Sequence, residues 1–304
     1  MTRFYGTWRL WIICAAVFGL SSTALAQTWP TRAVKVVVPF SAGSATDVIA
    51  RTIFDKVSAS VGQPFVIENK VGAGGTIGAA DVARSEPDGH TILLSSSSHT
   101  VTPSTYSSLP YDALKDFAAV IPVGNLPNVL VVSATKNYKS LNDLIAAAKA
   151  KPGSLNYGSA GPGSASHLTA ERLRLSAKFE AVHVPFKGAP EVLREIIADR
   201  IDFYFSPLLP ARALLNDGKL KALAVSGGKR AAALKDVPTT IEAGVPNSSY
   251  EFWIGVFVPA KAPKQVQDKL YAEIKTALDN FETKERMSKL GVDPMPMTAA
   301  QFDK

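Results

Sequence analysis

Short apolar or β-branched runs, bounded by turn residues, recur along the chain and alternate with segments of helical periodicity. In one such segment, Ile49, Ile53 and Val57 fall on the same helical face. Strands that alternate with helices predict an α/β fold with mostly parallel sheets. The apolar runs predict strands at Val34–Val38, Phe65–Glu68, Thr91–Ser95, Asn128–Ser133, Leu155–Gly158, Ala181–Val184, Phe203–Phe205, Lys221–Val225 and Trp253–Val258.

Helices are also predicted at 140–150, 190–200 and 264–281. In the first segment, Ser140 and Asp143 have the spacing of a capping box. The second opens with a proline in its first turn, where the missing N–H costs no hydrogen bond. The third repeats apolar residues on one face.

Two extended, proline-containing segments, 120–133 and 244–263, lack helical periodicity. If both cross between lobes, the chain enters a second lobe and later returns to the first. This interpretation predicts a cleft between two lobes; the alternative is that the prolines and glycines mark ordinary loops. The predicted units are 27–125 for the first part of lobe 1, 126–249 for lobe 2 and 250–304 for the return segment of lobe 1.

The N-terminal residues have the layout of a cleavable secretory signal. Arg3 and Arg9 precede the apolar run at 10–20, and a small-residue site, "ALA", ends at Ala26. The apolar run is too short to span a bilayer. We therefore predict a signal peptide at 1–26, cleavage after Ala26 and a periplasmic protein, with an uncleaved amphipathic anchor as the alternative.

The predicted leader contains Cys14, the one cysteine of the chain, so the mature protein is expected to have no disulfide and no cysteine metal site. Loss of Arg3 and Arg9 lowers the formal net charge from +7 to +5. Basic residues alternate with acidic ones, without a Lys/Arg-rich run. This charge pattern favours a small anionic ligand over nucleic acid.

The segment "VVVPFSAGSATDVIAR" joins the first predicted strand to a helix through small residues. Ser44 and Asp47 have capping-box spacing, and small side chains leave the amides of the helix N-terminus open to an anion. The Asp47 carboxylate competes for the same positive helix end. A plain helix start after a tight turn is the alternative.

A second loop of the same kind, "YGSAGPGSASH", ends a strand in small residues before a helix that carries His167. If each predicted lobe contributes one such loop, the two loops face each other across the cleft. This pairing is the strongest argument from the residues for an anion site.

Other patterns give less support for a catalyst or a cofactor. The glycines at 72, 74, 75 and 78 lack dinucleotide spacing, and the next strand ends in serines instead of the acid that would hold a ribose. The four histidines are scattered without zinc spacing. A serine hydrolase assembled only in three dimensions, with Ser164 or Ser97 as nucleophile and His167 as base, is the enzymatic alternative.

Several motifs together resemble one family. "WPTRAVKVVVPFSAGSATDVIAR", "VIENKVGAGGTIGAADVARSEPDGHTILL", "LPYDALKDFAAV", "LNYGSAGPGSASHLTAE", "VPFKG" and "DVPTTIEAGVP" occur in this order. The chain resembles the substrate-binding proteins of tripartite tricarboxylate transporters, the Bug or TctC-like extracytoplasmic solute receptors. The resemblance runs from about Trp29 to Asp293, nearly the whole mature chain.

The resemblance implies a periplasmic binding protein of the two-lobed, type II-like architecture, without enzymatic activity, metal or cofactor. It implies a monomer that captures a small carboxylate and delivers it to a large and a small membrane subunit. Dicarboxylates, tricarboxylates, amino acids and aromatic acids all stay open as ligands, and a ligand sensor for a membrane signalling partner is a further alternative.

In the family, backbone amides, hydroxyls and ordered water hold the ligand. The ligand-binding residues carried over are Phe40, Ser41, Ala42, Gly43, Ser44, Asp47, Ser159, Ala160, Gly161, Gly163, Ser164 and His167, with Ser97, Ser98, Lys187 and Ser206 as further candidates at strand ends.

This chain departs from the family in two places. Family members commonly have glycine where this chain has Ser44, so its ligand preference is expected to differ from the average member's. The sequence ends at "MTAAQFDK", where the family usually continues into a final helix. We expect that an absent final helix would leave lobe 1 without a packing element.

Overall fold

The computed structural model describes residues 29–304. The predicted signal peptide lies outside the described residues. The strands are β1 (Val34–Val38), β2 (Phe65–Asn69), β3 (Thr91–Ser96), β4 (Phe117–Leu126), β5 (Asn128–Ser133), β6 (Asn156–Ser159), β7 (Val182–Pro185), β8 (Phe203–Pro207), β9 (Leu220–Val225) and β10 (Phe252–Pro259).

The strands alternate with helices. These are α1 (Ala45–Val61), α2 (Thr76–Ala83), α3 (Ser98–Thr105), α4 (Leu141–Ala150), α5 (Ala165–Ala177), α6 (Ala189–Ile197), α7 (Leu208–Asn216), α8 (Lys264–Asp279), α9 (Phe281–Lys289) and α10 (Ala299–Phe302). Among residues 29–304, no helix combines the length and the apolar character that crossing a bilayer requires.

Each lobe is built on one five-stranded sheet, and the two sheets have the same layout. Lobe 1 has the strand order β2-β1-β3-β10-β4, and lobe 2 has β7-β6-β8-β5-β9. In each sheet one strand, β10 or β5, runs antiparallel to both of its neighbours, whereas the other described pairings are parallel. The predicted α/β fold with two lobes is confirmed, and each sheet is mixed, with parallel pairings on one side and an antiparallel strand inserted on the other.

The antiparallel strand of each sheet, β5 or β10, is the first strand after the chain crosses from the other lobe. The chain leaves lobe 1 at the end of β4, passes Pro127 and begins β5 in lobe 2. It returns after β9 through a connection of turns and begins β10 in lobe 1. Two crossings therefore join the lobes, and both lie beside the cleft.

The segment 120–133, interpreted from sequence as a single extended crossing, is two strands in two sheets. The sequence pattern missed β4 because Pro122 and Gly124 interrupt it. Both lie opposite β10 where the register shifts between Ile254 and Gly255, and irregular pairing of this kind tolerates a proline.

Each lobe has its own apolar core. In lobe 1, the predicted helical face of Ile49, Ile53 and Val57 is fully buried and packs in one cluster with Leu270 and Ile274 of α8. In lobe 2, α4 begins with the predicted capping box: Ser140 accepts from the Asp143 N–H, and the Asp143 carboxylate accepts from the Ser140 N–H. The two lobes touch through this packing as well, because Ala165 of α5 is buried in the lobe 1 cluster.

Candidate ligand-binding site

A cavity lies between the lobes at the carboxyl ends of β1, β3 and β6, where parallel sheets place ligands. The N-termini of α1, α5, α6 and α7 all begin at its wall. The cavity has no charged side chain among its lining residues, which are Phe40, Ser44, Ala45, Thr46, Ser96, Asn128, Ala160, Ser164, Ala165, Ser166, Gly188, Ala189, Tyr204, Pro207 and Phe252.

The loop before α1 is closed by hydrogen bonds that cap the helix. The Ser44 N–H donates to the Ser41 carbonyl at 3.1 Å, and the Ser44 hydroxyl accepts from the Asp47 N–H at 3.4 Å. The Asp47 carboxylate accepts from the Gly43 N–H at 2.9 Å. The predicted capping box is thus half correct: the carboxylate turns to Gly43 because the Ser44 N–H is already bound within the loop.

The loop before α5 repeats this arrangement in lobe 2. The Ser164 N–H donates to the Gly161 carbonyl at 3.1 Å, and the Ser164 hydroxyl accepts from the His167 N–H at 3.3 Å. The His167 ring takes the place of the Asp47 carboxylate, since its Nδ1 accepts from the Gly163 N–H at 3.1 Å. Gly43 and Gly163 both have left-handed backbones, with φ of 79° and 74°, which glycine adopts without strain.

Among residues 29–304, this shared geometry leaves the same two amides without an acceptor in each helix. The first N–H groups of a helix have no acceptor within it, and the serine cap binds only that of the third helical residue. The N–H groups of Ala45 and Thr46, and those of Ala165 and Ser166, therefore belong to lining residues at two positive helix ends. The arrangement suits an anion held from both sides.

Close backbone contact between the lobes completes the cavity. A Cβ atom on Gly74 of lobe 1 would overlap the carbonyl oxygen of Pro162 in lobe 2. Tyr106 donates its hydroxyl to that carbonyl at 2.6 Å, and the Ser41 hydroxyl donates to Glu191 of α6 at 3.1 Å. The glycine-rich segment at 72–78, which lacks dinucleotide spacing, thus packs against the opposite lobe.

Comparison with known proteins decides the family. The model of the tripartite tricarboxylate transporter family receptor matches residues 49–304. The chain belongs to this receptor family. BugT of Bordetella pertussis is 33% identical over 291 residues, which cover 95% of this chain and 89% of BugT. The predicted resemblance is confirmed, and the family consists of periplasmic solute-binding receptors, not enzymes.

Solved structures of receptors from Rhodopseudomonas palustris share the whole fold. MatC (Rpa3494) with bound malate is 32% identical, with a TM-score of 0.87 over 90% of this chain and 95% of MatC. Rpa4515 with adipate is 33% identical, with a TM-score of 0.86 over 90% of this chain and 92% of Rpa4515. The two-lobed architecture of this receptor is therefore shared along nearly its full described length.

The residues carried over from the family take different places in this receptor. Four of them line the cavity: Phe40, Ser44, Ala160 and Ser164. Others shape the loops or bridge the lobes without lining it: Ser41, Gly43, Asp47, Ser159, Gly161, Gly163 and His167. Ala42 lies exposed at the tip of the first loop.

The candidates at strand ends lie outside the cavity. Ser97 contacts the Tyr250 hydroxyl at 3.2 Å, Ser98 contacts Ser96 at 2.8 Å, and Ser206 donates to the Pro207 carbonyl at 2.8 Å. Lys187 is exposed. Position at a strand end was the only sequence signal for these residues, and it does not specify the direction of a side chain.

The sequence analysis missed most of the lining. A signal for part of it was present, because "GSATD" and "GSASH" repeat one pattern at the two helix starts and mark the four free amides. No comparable signal marks Asn128, Tyr204 or Phe252, which reach the cavity only through the packing of the two lobes.

The buried Asp47 carboxylate does not leave an uncompensated negative charge beside the cavity. Arg51 lies 2.9 Å from it, and Asn69 donates to it at 2.9 Å. Burial opposes ionisation, but hydrogen bonds from Arg51, Gly43 and Asn69 outweigh it and hold the pKa of Asp47 below its usual value. The ion pair therefore allows Asp47 to fix the loop without repelling an anion.

The hydrolase alternative lacks its geometry. The His167 ring accepts from the Gly163 N–H, and the Ser164 hydroxyl meets only the backbone N–H of His167 and the Ser166 hydroxyl among the described residues. Ser159 does contact a histidine, with 2.6 Å from its Oγ to Nε2 of His183, but Ser159 is fully buried and also accepts from the Gly161 N–H. In residues 29–304, no cluster of three metal-ligating side chains is present.

The shape of the loop before α5 depends on pH through His167. Burial lowers the pKa of His167 below its ordinary value of 6.5, with Glu171 acting in the opposite direction and Arg174 adding to the decrease. The His183 ring stacks on His167 at 4.1 Å, and burial together with the charge of His167 lowers the pKa of His183 to about 4. Neutral His167 accepts the Gly163 N–H, whereas a proton on Nδ1 would remove that acceptor.

We predict that Gly74→Ala weakens ligand binding at least about tenfold, because its new methyl group holds the lobes apart. Gly62→Ala is the matched control: its φ of 71° is close to the 62° of Gly74, but its Cβ meets nothing within 4 Å. Both variants should lose a similar stability, about 1–2 kcal/mol for a left-handed alanine. Calorimetric affinities with thermal unfolding check this; equal ligand affinity in both variants would contradict it.

We predict that ligand affinity is level from about pH 8 through pH 6.5 and falls only at lower pH, where the folded His167 takes up a proton, because burial lowers its pKa below 6.5. Folding stability should begin to fall already below about pH 6.5, because the unfolded chain takes up the proton first, and it should level off where the folded His167 is protonated as well. His167→Asn keeps an acceptor for the Gly163 N–H and should flatten the affinity profile, while His167→Leu should bind weakly throughout. The idea fails if wild type and His167→Asn show the same pH profile between about pH 8 and 5.

The other titratable groups around the His167 ring change protonation outside the range from about pH 8 to 5. Tyr157 and Arg174 have raised pKa values, while those of Glu171 and His183 are lowered. The ligand's own carboxyl groups titrate in the same way with both proteins, so the difference between the wild-type and His167→Asn profiles in that range reports on His167.

Proposed function

We propose that this receptor binds a small carboxylate in the cavity between its lobes and delivers it to the membrane subunits of a tripartite transporter. One observation carries the proposal: the capped N-termini of α1 and α5 present matched pairs of free amides to a cavity without charged side chains. A carboxylate has two oxygens that accept hydrogen bonds from such amides.

The uncharged lining is compatible with tight binding. Hydrogen bonds to an ionised acceptor are roughly twice as strong as neutral ones, and exclusion of water strengthens them further. No arginine is needed, and the helix dipoles add a favourable potential within their first turns. The similar receptors MatC and Rpa4515 have malate and adipate bound, and both of these ligands are carboxylates.

Delivery to a transporter is supported by family membership and by the predicted signal peptide. The Ser41 hydroxyl of lobe 1 donates to Glu191 of lobe 2, and a receptor with separated lobes would lack this contact, so its surface around the cleft would differ. A membrane subunit that binds this joint surface would distinguish loaded from empty receptors.

We predict that the mature protein is stabilised by one or a few carboxylates and by none of the corresponding amides, which carry no charge. A ligand at a hundred times its dissociation constant stabilises the folded state by about 2.7 kcal/mol. Thermal shift with a panel of mono-, di- and tricarboxylates, followed by native mass spectrometry, measures this. A complete lack of shifts and of bound anions would contradict the proposal.

Proline substitutions at the first helical position test the backbone amides of the cavity, and α10 supplies a control that matches the backbone geometry. Thermal unfolding checks that the buried Ala45 and Ala165 sites accept a proline. Ala45→Pro and Ala165→Pro each delete one cavity amide, while a first-turn proline keeps the helix start. Ser44, Ser164 and Thr298 all have the extended backbone that a following proline requires, with ψ of 162°, 157° and 161°. We expect the two cavity variants to bind carboxylate at least about tenfold more weakly, and Ala299→Pro at α10 to bind as wild type.

A further inference from the structure

Asn128 lines the cavity from the first position of β5, where the chain has just entered lobe 2. It is only 1% exposed. Its Nδ2 donates to the Thr169 hydroxyl of α5 at 3.3 Å, and that hydroxyl donates its own hydrogen to the Ala165 carbonyl at 2.7 Å. Because Thr169 has no second hydrogen to give, it accepts from Asn128, and this fixes which side of the amide is Nδ2.

The opposite atom of this amide, Oδ1, has no hydrogen-bond partner among the described residues. Seven buried side-chain atoms of residues 29–304 share this property, and Asn128 is the one residue among them that lines the cavity. A buried acceptor without a donor is costly and is rare in folded proteins. The site therefore offers a place for a hydrogen-bond donor.

A carboxylate group does not fill that place, since its oxygens only accept hydrogen bonds when it is ionised. The donor must be a second group of the ligand. An ammonium would be enclosed by a lining without any acidic side chain, and an unpaired buried charge is strongly unfavourable. A hydroxyl supplies one hydrogen without adding a charge.

We propose that Asn128 makes this receptor selective for hydroxycarboxylates. This inference rests on the proposed function, because it assumes that the ligand carboxylate meets the amides of α1 and α5. The ligand hydroxyl donates to Oδ1 of Asn128, while Thr169 holds the amide in place. Thr169 acts as a positioning residue and Asn128 determines specificity.

The test uses pairs of carboxylates that differ by one hydroxyl, such as malate with succinate and citrate with tricarballylate. Each acid that binds the mature full-length receptor by calorimetry is compared with its partner. We expect the hydroxylated member to bind at least about tenfold more tightly, because the other leaves Oδ1 without a donor. Aspartate, which replaces the hydroxyl of malate with an ammonium, should bind more weakly than malate.

Asn128→Leu should reduce the preference within each pair to about twofold or less. Asn125→Leu is the control, since Asn125 has an equally unpartnered Oδ1 but does not line the cavity. It should retain the full preference. The wild-type comparison tests the proposal even if Asn128→Leu does not fold.

Each outcome separates the two proposals. If carboxylates bind and the paired acids have equal affinity, a water molecule serves Oδ1 equally well, and the selectivity proposal is overturned while the carboxylate function stands. Preference for aspartate over malate, or preference that survives in Asn128→Leu, also overturns it. If no carboxylate binds, the proposed function itself fails.

Discussion

The site depends on one constraint at the N-termini of α1 and α5. Hydrogen bonds occupy some of the backbone amides there and leave the others available to a ligand. Ser44 and Ser164 cap the third helical N–H, and Asp47 and His167 bind the N–H of the glycine before each cap. The amides that stay free belong to residues of the cavity wall. Small side chains are required there because larger ones would stand between the amides and a ligand.

The same constraint explains why the receptor needs both lobes. One helix N-terminus is a weak anion site, worth about 0.3–1 kcal/mol when exposed to solvent. Two such ends enclosed between lobes act in a medium with little water, where each hydrogen bond to a charged group is stronger. The close contact of Gly74 with Pro162 permits that enclosure.

Periodicity and turn residues were sufficient to predict most strands, the two-lobed organisation and the small-residue loops. They failed at β4, because Pro122 and Gly124 interrupt the strand pattern. Both residues are accommodated because β4 pairs irregularly with β10 at this point. Within the site, the loops were predictable because local hydrogen bonds form them. Asn128 and Tyr204 were not, because they become lining residues only when the two sheets are placed around one cleft. Lys187 shows the converse: it follows a strand as predicted, yet its side chain is exposed.

The central claim is that backbone amides from both lobes hold the ligand carboxylate without help from a cationic side chain. The most direct measurement is an NMR titration, in which a carboxylate that binds the receptor is added to the ¹⁵N-labelled mature protein. The amide resonances of the protein are followed. We expect the N–H protons of Ala45, Thr46, Ala165 and Ser166 to shift downfield together and to saturate at one ligand per receptor. Shifts confined to one lobe, or centred on lysine and arginine side chains, would contradict it.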